Sequence, residues 1–243
     1  MSLLEVRGVR KRFGGVVALD GVDLHIDEGE ILGLVGPNGS GKSTLINILS
    51  AFYPCDDGSI SFEGKDVTEQ SAHRIAALGM ARTYQIPRPF DTMTPRENIA
   101  VSYMFGHSRH SLADAREAAQ EWLEFTGLHG VADISIGELT LHQLKFLELA
   151  RSLATQPSLL LLDEVLAGLN PSEINESVEM IRRIHERGVT ILIVEHVVRV
   201  VMALSDRLVV LDQGRVISEG APDDVMTDPA VVVAYLGEKR KGA

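Results

Sequence analysis

A glycine-rich stretch between two apolar runs constrains the fold of this chain more than any other feature. Residues 36–44 read Gly-Pro-Asn-Gly-Ser-Gly-Lys-Ser-Thr, which fits the P-loop pattern G-x-x-x-x-G-K-[ST]. The run Ile31 to Val35 before it predicts a buried strand, and Leu45 to Leu49 after it predict the first turns of a helix. The pattern therefore predicts a strand–loop–helix unit whose backbone amides bind a phosphate group.

The loop itself supplies most of the candidate nucleotide-binding residues. Its glycines let backbone N–H groups converge where side chains would block them. Lys42 is predicted to reach the outer phosphates of a nucleotide, and the Ser43 hydroxyl to join Mg²⁺. A glycine-rich turn that binds nothing is the alternative. The predicted binding positions are Gly36, Pro37, Asn38, Gly39, Ser40, Gly41, Lys42, Ser43 and Thr44.

Composition limits the classes of function. The 243 residues include 34 acidic and 23 basic side chains, and the net charge of −11 disfavours a nucleic-acid partner. The single cysteine, Cys55, excludes an internal disulfide and suits a reducing cytosol. The apolar runs are too short to span a bilayer, so we expect any membrane role to be peripheral and to depend on a partner.

Strand and helix patterns alternate at both ends of the chain, whereas the middle is helical. Val16 to Leu19 and Leu24 to Ile26 predict two short strands in a β-rich N-terminal part. Residues 87–155 carry helical periodicity with no convincing strand. We predict an α/β fold with a mostly parallel sheet, built as one domain: residues 1–86 and 156–243 form the core, and residues 87–155 form an inserted helical subdomain.

A second candidate site lies at the end of an apolar strand. Leu159 to Leu162 are four leucines, followed directly by Asp163 and Glu164. Acids at the carboxyl end of a buried strand lie at the edge where open α/β sheets bind ligands. Asp163 is predicted to hold Mg²⁺, and Glu164 to accept a proton from the water that attacks a γ-phosphate. An acidic helix cap after a core strand is the alternative.

These stretches resemble, in order and over nearly the whole length, the ATP-binding subunits of ABC transporters. Residues 36–44 match the family's Walker A loop and Leu159 to Asp163 its Walker B strand. Glu164 matches the catalytic carboxylate. The resemblance implies ATP and Mg²⁺ as cofactors, ATPase activity, and a P-loop NTPase core with an N-terminal antiparallel β-subdomain.

Smaller matches extend the resemblance. Gln85 corresponds to the Q-loop glutamine, which in the family touches Mg²⁺ and senses the membrane partner. His196 corresponds to the switch histidine at the γ-phosphate, and Phe13 to the aromatic residue that stacks on adenine. Residues 167–170 (Ala-Gly-Leu-Asn) correspond to the D-loop, whose last position is more often Asp. Taken singly, these residues also have purely structural explanations. Gln85 could be a surface amide, His196 the polar end of a strand, and Phe13 a core residue.

The family signature, usually Leu-Ser-Gly-Gly-Gln, is altered. Leu139 to Gln143 read Leu-Thr-Leu-His-Gln in this chain. Thr140 and Gln143 therefore remain as candidate phosphate-binding residues, while both glycines are lost. Thr140 and Gln143 also fit a capping box, and a helix cap without phosphate contact is the alternative. In the family this segment faces ATP held by a second ABC ATPase subunit, in a homo- or heterodimer. Leu141 and His142 are in positions to crowd that γ-phosphate.

Among these transporters the chain is most similar to the ATPases of branched-chain amino-acid importers. The similarity lies in residues 79–85 and 93–98 and in the ending 234–238. It implies transmembrane permease subunits, indirectly a substrate-binding protein, and a place at the cytoplasmic face of the inner membrane. The cargo would be branched-chain amino acids or related small amino acids and amides.

Three alternatives stay open. The ATPase of a lipopolysaccharide exporter has a similar ending. A regulatory ABC subunit with weak hydrolysis is compatible with the altered signature. A soluble ABC ATPase without a transporter is the third, although such proteins usually carry two cassettes in one chain. A GTPase is disfavoured because no Asn-Lys-x-Asp motif is found.

Overall fold

The computed structural model describes residues 2–106 and 111–239, with side chains up to residue 235. Its Cα positions divide the chain into two compact units. Unit 1 comprises Met1–Ala72 and Thr190–Ala243, and unit 2 comprises His73–Val189. The candidate residues are therefore distributed over the two units.

The described strands are β1 (Ser2–Phe13), β2 (Val16–Asp27), β3 (Ile31–Val35), β4 (Asp57–Phe62), β5 (Lys65–Asp66), β6 (Met80–Arg82), β7 (Leu159–Asp163), β8 (Thr190–Val194), β9 (Arg207–Asp212) and β10 (Arg215–Gly220). The described α-helices are α1 (Lys42–Leu49), α2 (Ala72–Ala77), α3 (Pro95–Met104), α4 (Leu112–Phe125), α5 (Leu141–Ala154), α6 (Pro171–Glu186), α7 (Val198–Leu204), α8 (Pro222–Thr227) and α9 (Pro229–Lys239). Short 3-10 helices lie at His129–Val131 and Ile136–Glu138.

Unit 1 contains two kinds of sheet. An antiparallel sheet has the strand order β2-β1-β4-β5. A second set has the order β10-β9-β3-β8, in which β3 runs parallel to both β8 and β9 while β10 returns antiparallel to β9. All five residues of β3 and of β8 are buried, as expected for strands covered on both faces.

Unit 2 combines the parallel pair β6 and β7 with the helices α3 to α6. Four helices, α3 to α6, begin with capping boxes. In each, the side chain of the cap residue accepts a hydrogen bond from the backbone N–H three residues later, and that later residue's side chain accepts one from the N–H of the cap residue. The cap residues are Thr94, Ser111, Thr140 and Asn170. These caps fix where each helix starts.

The predicted α/β class, with a mostly parallel sheet and a separate N-terminal antiparallel sheet, is confirmed. The predicted bounds of the helical subdomain, residues 87–155, stay a prediction. One element prediction was wrong: Val16 to Leu19 and Leu24 to Ile26 belong to the single strand β2. Register shifts along β1 and β2 accommodate the interruption at Gly21, whose φ is +81°, so the ladder continues through it.

Candidate functional site

The loop between β3 and α1 has backbone conformations that require glycine. Gly36 has φ +149°, and a Cβ there would lie 2.0 Å from the carbonyl oxygen of Leu211. Gly41 has φ +111°, and its Cβ would lie 2.7 Å from the carbonyl oxygen of Ala18. Distances this short exclude any side chain without movement of the backbone. The glycines are therefore needed both for the curve of the loop and for its close approach to neighbouring strands.

Lys42 lies inside this loop. Its side chain is almost fully buried, and Nζ donates hydrogen bonds to the carbonyl oxygens of Gly36 (2.8 Å) and Pro37 (2.9 Å). Gly214 in the turn between β9 and β10 donates its N–H to the Ser40 carbonyl at 2.8 Å, which fastens the loop from outside. The ammonium group is thus held at the centre of the loop, where the predicted phosphate would be neutralised.

The remaining loop positions differ in exposure. Pro37 and Ser40 are buried, Thr44 is half-buried, and Asn38, Gly39 and Ser43 are exposed. The Ser43 hydroxyl is therefore open to solvent at the start of α1. This is the condition for a metal ligand at that position.

His196 leaves the sheet at the same edge as the loop. Leu34 of β3 pairs with Val194 of β8 in parallel register. Gly36 and His196 each follow two residues later, so both lie just beyond the carboxyl ends of adjacent strands. His196 is exposed, whereas Glu195 before it is buried. The structure thus brings the predicted γ-phosphate sensor to the edge that carries the P-loop.

Phe13 lies at the end of the β1–β2 hairpin, where it pairs with Val16. Its ring is 42% exposed and meets the edge of Tyr53, with ring centroids 5.3 Å apart. The same hairpin approaches the P-loop at Ala18, as the close contact with Gly41 shows. Val16 is also exposed, so an apolar surface that could stack on a base accompanies Phe13. Sequence reasoning had not singled out Val16.

In unit 2 Asp163, which ends β7, and Glu164, which follows it, are each held by a residue that ends or follows β6. Arg82 donates from Nη2 to Oδ2 of Asp163 at 2.8 Å, and both side chains are about nine-tenths buried. Gln85 donates from Nε2 to Oε2 of Glu164. Gln85 and Glu164 were both predicted as site residues, and the structure places them in contact. Arg82 was not predicted as one, because an arginine at the end of a strand carries no motif signal of its own.

Glu164 occupies an unusual backbone position. Its φ is +51°, a left-handed conformation that is uncommon for a residue other than glycine, asparagine or aspartate. The buried Lys145 donates from Nζ to the Glu164 carbonyl oxygen at 3.4 Å. Strained backbone held by specific contacts is a feature of functional sites. The conformation turns the chain sharply after β7 and sets the direction in which the carboxylate leaves the strand.

The altered signature segment forms the predicted capping box. Thr140 donates its N–H to Oε1 of Gln143 (2.9 Å), and Gln143 donates its N–H to Oγ1 of Thr140 (3.2 Å). The His142 ring packs on Phe146, with centroids 4.2 Å apart, and its Nε2 lies 3.7 Å from Oε2 of Glu176. His142 is thus turned toward its own chain.

Leu141 behaves differently from its neighbour. Its side chain is 45% exposed at the N-terminus of α5. Of the two residues expected to crowd a partner's nucleotide, Leu141 is therefore the one whose side chain faces solvent. That expectation stays a prediction.

The D-loop residue Asn170 is an N-cap. Its Oδ1 accepts hydrogen bonds from the N–H groups of Ser172 (2.9 Å) and Glu173 (3.1 Å). Asparagine caps a helix as well as aspartate does, so the departure from the family's usual residue keeps the local structure. The start of α6 is fixed in consequence.

The chain offers the oxygen donors that Mg²⁺ prefers. Ser43 presents an exposed hydroxyl, Gln85 has an amide oxygen besides its bonded Nε2, and Oδ1 of Asp163 accepts no hydrogen bond from the described residues. Those residues contain no group of three or more His, Cys, Asp or Glu able to hold a metal by itself. Each of these donors is therefore of the kind that Mg²⁺ accepts when its other ligands come from nucleotide phosphates and water.

Comparison with known proteins identifies the family. The model of the ABC transporter family matches residues 19–167, which is more than half of the chain. The chain belongs to the ATP-binding cassette family of ABC transporters. The model described as "Branched-chain amino acid ATP-binding cassette transporter" matches residues 215–240.

Similar proteins cover the cassette from end to end. The high-affinity branched-chain amino acid transport ATP-binding protein BraF of Pseudomonas aeruginosa is 38% identical, over 97% of this chain and 98% of its own. LivG of Escherichia coli, named in the same way, is 37% identical over the same shares. The ADP conformation of an ATP-binding cassette from an ABC transporter is 33% identical with a TM-score of 0.86, over 98% of this chain and 99% of that one. A nucleotide-free ATP-binding cassette from an ABC transporter is 32% identical with a TM-score of 0.85, over 97% of this chain and 99% of that one.

One observation concerns the membrane. No helix within residues 2–106 and 111–239 combines the length and the apolar character needed to cross a bilayer.

Proposed function

We propose that this cassette is the ATP-hydrolysing subunit of an importer for branched-chain amino acids or related small amino acids and amides. The observation that carries the cargo class is the match of residues 215–240 to the branched-chain family model. Relatives named for that transport, similar over the full length, support it. The lipopolysaccharide-export alternative finds no support in these comparisons.

ATP would be held mainly by unit 1. The amides of residues 36–44 and the N-terminus of α1 bind the phosphates, and Lys42 neutralises their charge. Phe13 stacks on the adenine with its exposed ring face, and Val16 extends that apolar surface. His196, at the same sheet edge as the loop, contacts the γ-phosphate. Phe13, Val16 and His196 are exposed, as these roles require. Lys42 is instead held inside the loop.

Hydrolysis would rest on Glu164. Its carboxylate orients the attacking water and accepts a proton from it, and a positioned general base contributes about 10²- to 10⁴-fold to rate. Ser43, Asp163 and Gln85 would hold Mg²⁺, which would supply charge neutralisation at the phosphates. Gln85 keeps the Glu164 carboxylate in one orientation until the nucleotide arrives.

The site is completed by a second ABC ATPase subunit. Thr140 and Gln143 stand at the N-terminus of α5, and this helix end would face ATP on that partner. The capping box engages Gln143 Oε1 and Thr140 Oγ1 as acceptors, so a phosphate would meet the Thr140 O–H and the first amides of the helix.

Transmembrane permease subunits would dock on unit 2 at the cytoplasmic face of the inner membrane. Large apolar side chains are exposed in the stretch that follows Gln85, with Ile86 74% and Phe90 44% exposed. Phe105 at the end of α3 is 79% exposed. Exposed apolar residues of this size favour a protein partner. A substrate-binding protein would act through those permeases.

A regulatory subunit with weak hydrolysis is the second candidate. It is favoured by one observation: the signature position that the family fills with glycine carries His142, packed on Phe146. Turnover that depends on Glu164 would exclude it.

Uptake of labelled leucine, isoleucine and valine tests the proposal. A strain that lacks this chain is expected to lose uptake, and the wild-type chain to restore it. Glu164→Gln should fail to restore it, whereas Glu117→Gln, which changes an exposed glutamate on α4, should succeed. Unchanged uptake of all three amino acids in the deletion strain would contradict the proposed cargo.

A further inference from the structure

The buried ion pair between Arg82 and Asp163 calls for an explanation beyond stability. Both side chains are withdrawn from water, with 10% and 9% exposed, and Nη2 of Arg82 lies 2.8 Å from Oδ2 of Asp163. The cost of dehydrating two charges is often as large as their attraction, so a buried pair is weak support for the fold. Stability alone therefore does not explain why this buried pair is charged.

Arg82 is itself held in place. It ends β6, whose register sets it beside Leu161 of β7, and its guanidinium lies 5.0 Å from the centroid of the Tyr84 ring. Arg88 lies 5.4 Å from the same ring. A guanidinium above an aromatic face loses little freedom when it also donates a hydrogen bond. The guanidinium of Arg82 is therefore held firmly enough to fix the orientation of the Asp163 carboxylate that it binds.

The two oxygens of Asp163 have different surroundings. Oδ2 accepts from Arg82, while Oδ1 accepts no hydrogen bond within the part of the chain that the structure describes. Carboxylates that bind metals are commonly held in this way, one oxygen on a protein donor and the other on the metal or its water. Loss of such an outer partner lowers metal affinity by about 10- to 100-fold.

We propose that Arg82 is a positioning residue for Mg²⁺: it holds Oδ2 of Asp163 so that Oδ1 is directed at the metal. The proposal rests on the role of Asp163 in the proposed function. It assigns Arg82 no contact with ATP. Its effect should therefore appear in the part of the nucleotide affinity that depends on Mg²⁺ and in no other part.

The experiment measures the affinity for the non-hydrolysable analogue AMP-PNP by calorimetry, with saturating MgCl₂ and with excess EDTA. The Mg²⁺ ratio, which is the dissociation constant in EDTA divided by the dissociation constant in MgCl₂, reports the contribution of Mg²⁺ to binding. For Arg82→Met we expect the ratio to fall by about 10- to 100-fold, with the affinity in EDTA unchanged. Arg82→Lys, which keeps a charged donor, should retain most of the ratio. Binding of Mn²⁺ with AMP-PNP, followed by electron paramagnetic resonance, should weaken in parallel.

Arg151→Met is the matched control. Arg151 is also a largely buried arginine in unit 2, paired with Glu148 at 3.2 Å, and within the described residues it makes no hydrogen bond to Asp163. It should lower the melting temperature but leave the Mg²⁺ ratio unchanged. If Arg82→Met does not unfold cooperatively, Arg82→Gln takes its place, and its ratio should still fall.

The outcomes separate the inference from the proposed function. A wild-type ratio retained in Arg82→Met or Arg82→Gln would overturn the inference, and so would a higher ratio, because the arginine would then compete with the metal. A wild-type chain without any gain from Mg²⁺, or an unchanged ratio in Asp163→Asn, would instead overturn the metal role of Asp163.

Discussion

Gln85 donates a hydrogen bond to the carboxylate of Glu164 across 79 residues of sequence. The contact joins a residue three positions beyond β6 to the residue directly after β7, and these two strands are adjacent and parallel. It places Gln85, the residue that we propose as the Q-loop glutamine, on the side chain that we propose activates water. A displacement of the segment around Gln85 would therefore change the orientation of the base directly.

The P-loop offers a matched pair of glycines for a stability test. Gly36→Ala would bring Cβ to 2.0 Å from the Leu211 carbonyl oxygen, whereas at Gly39 no atom lies within 4 Å of the added Cβ. Both positions have positive φ, which costs a residue with Cβ about 1–2 kcal/mol. We expect Gly39→Ala to lose only that amount and Gly36→Ala to lose more, measured as free energy of unfolding without nucleotide. Equal losses would contradict the geometry of the loop.

The signature segment gives a second pair. His142→Ala removes the ring contact with Phe146 and should lower the free energy of unfolding by about 1 kcal/mol, while the exposed Leu141→Ala should change it little. If the exposed side chain crowds the nucleotide of the partner, Leu141→Ala should raise ATP turnover and His142→Ala should not. Urea unfolding and phosphate release measure the two effects. The opposite order in turnover would mean that His142 is the obstructing residue.

Acid stability should depend on Asp133. Arg96 donates two hydrogen bonds to its carboxylate, at 2.8 and 3.0 Å, and this holds the pKa of Asp133 below its ordinary value. A lowered folded-state pKa stabilises the protein above the unfolded-state pKa, about 3.9, and that stabilisation is lost as the pH falls through the folded-state value. The melting temperature of wild type should exceed that of Asp133→Asn at neutral pH, and the difference should vanish in strong acid. A difference independent of pH would show that the ion pair is not its origin.

Much of the architecture follows from the sequence because the buried strands are continuous apolar runs. The bounds of β7 are those predicted, since four leucines end at an acid. The Gln213-Gly214 turn between two apolar-rich runs likewise suits a hairpin, and β9 and β10 form one. The two-residue strand β5 was missed, because Lys65 and Asp66 carry no alternation to detect.

Within the candidate site, motifs predicted residue types but not partners. The capping box of Thr140 and Gln143 could be predicted because its spacing is local. The bond from Arg82 to Asp163 joins residues 81 positions apart, and only the pairing of β6 with β7 brings them together. The left-handed backbone conformation of Glu164 could not be predicted either, because a glutamate in a sequence does not indicate a positive φ.

Phosphate release from Mg²⁺-ATP by the purified chain and by Glu164→Gln tests the central claim most directly. Lys42→Ala, which removes the ammonium group from the P-loop, sets the background, and calorimetry with ATP checks that Glu164→Gln still binds nucleotide. We predict a loss of about 100-fold or more in turnover for Glu164→Gln with binding retained. Turnover within a few-fold of wild type in Glu164→Gln, or wild-type turnover no higher than that of Lys42→Ala, would contradict it.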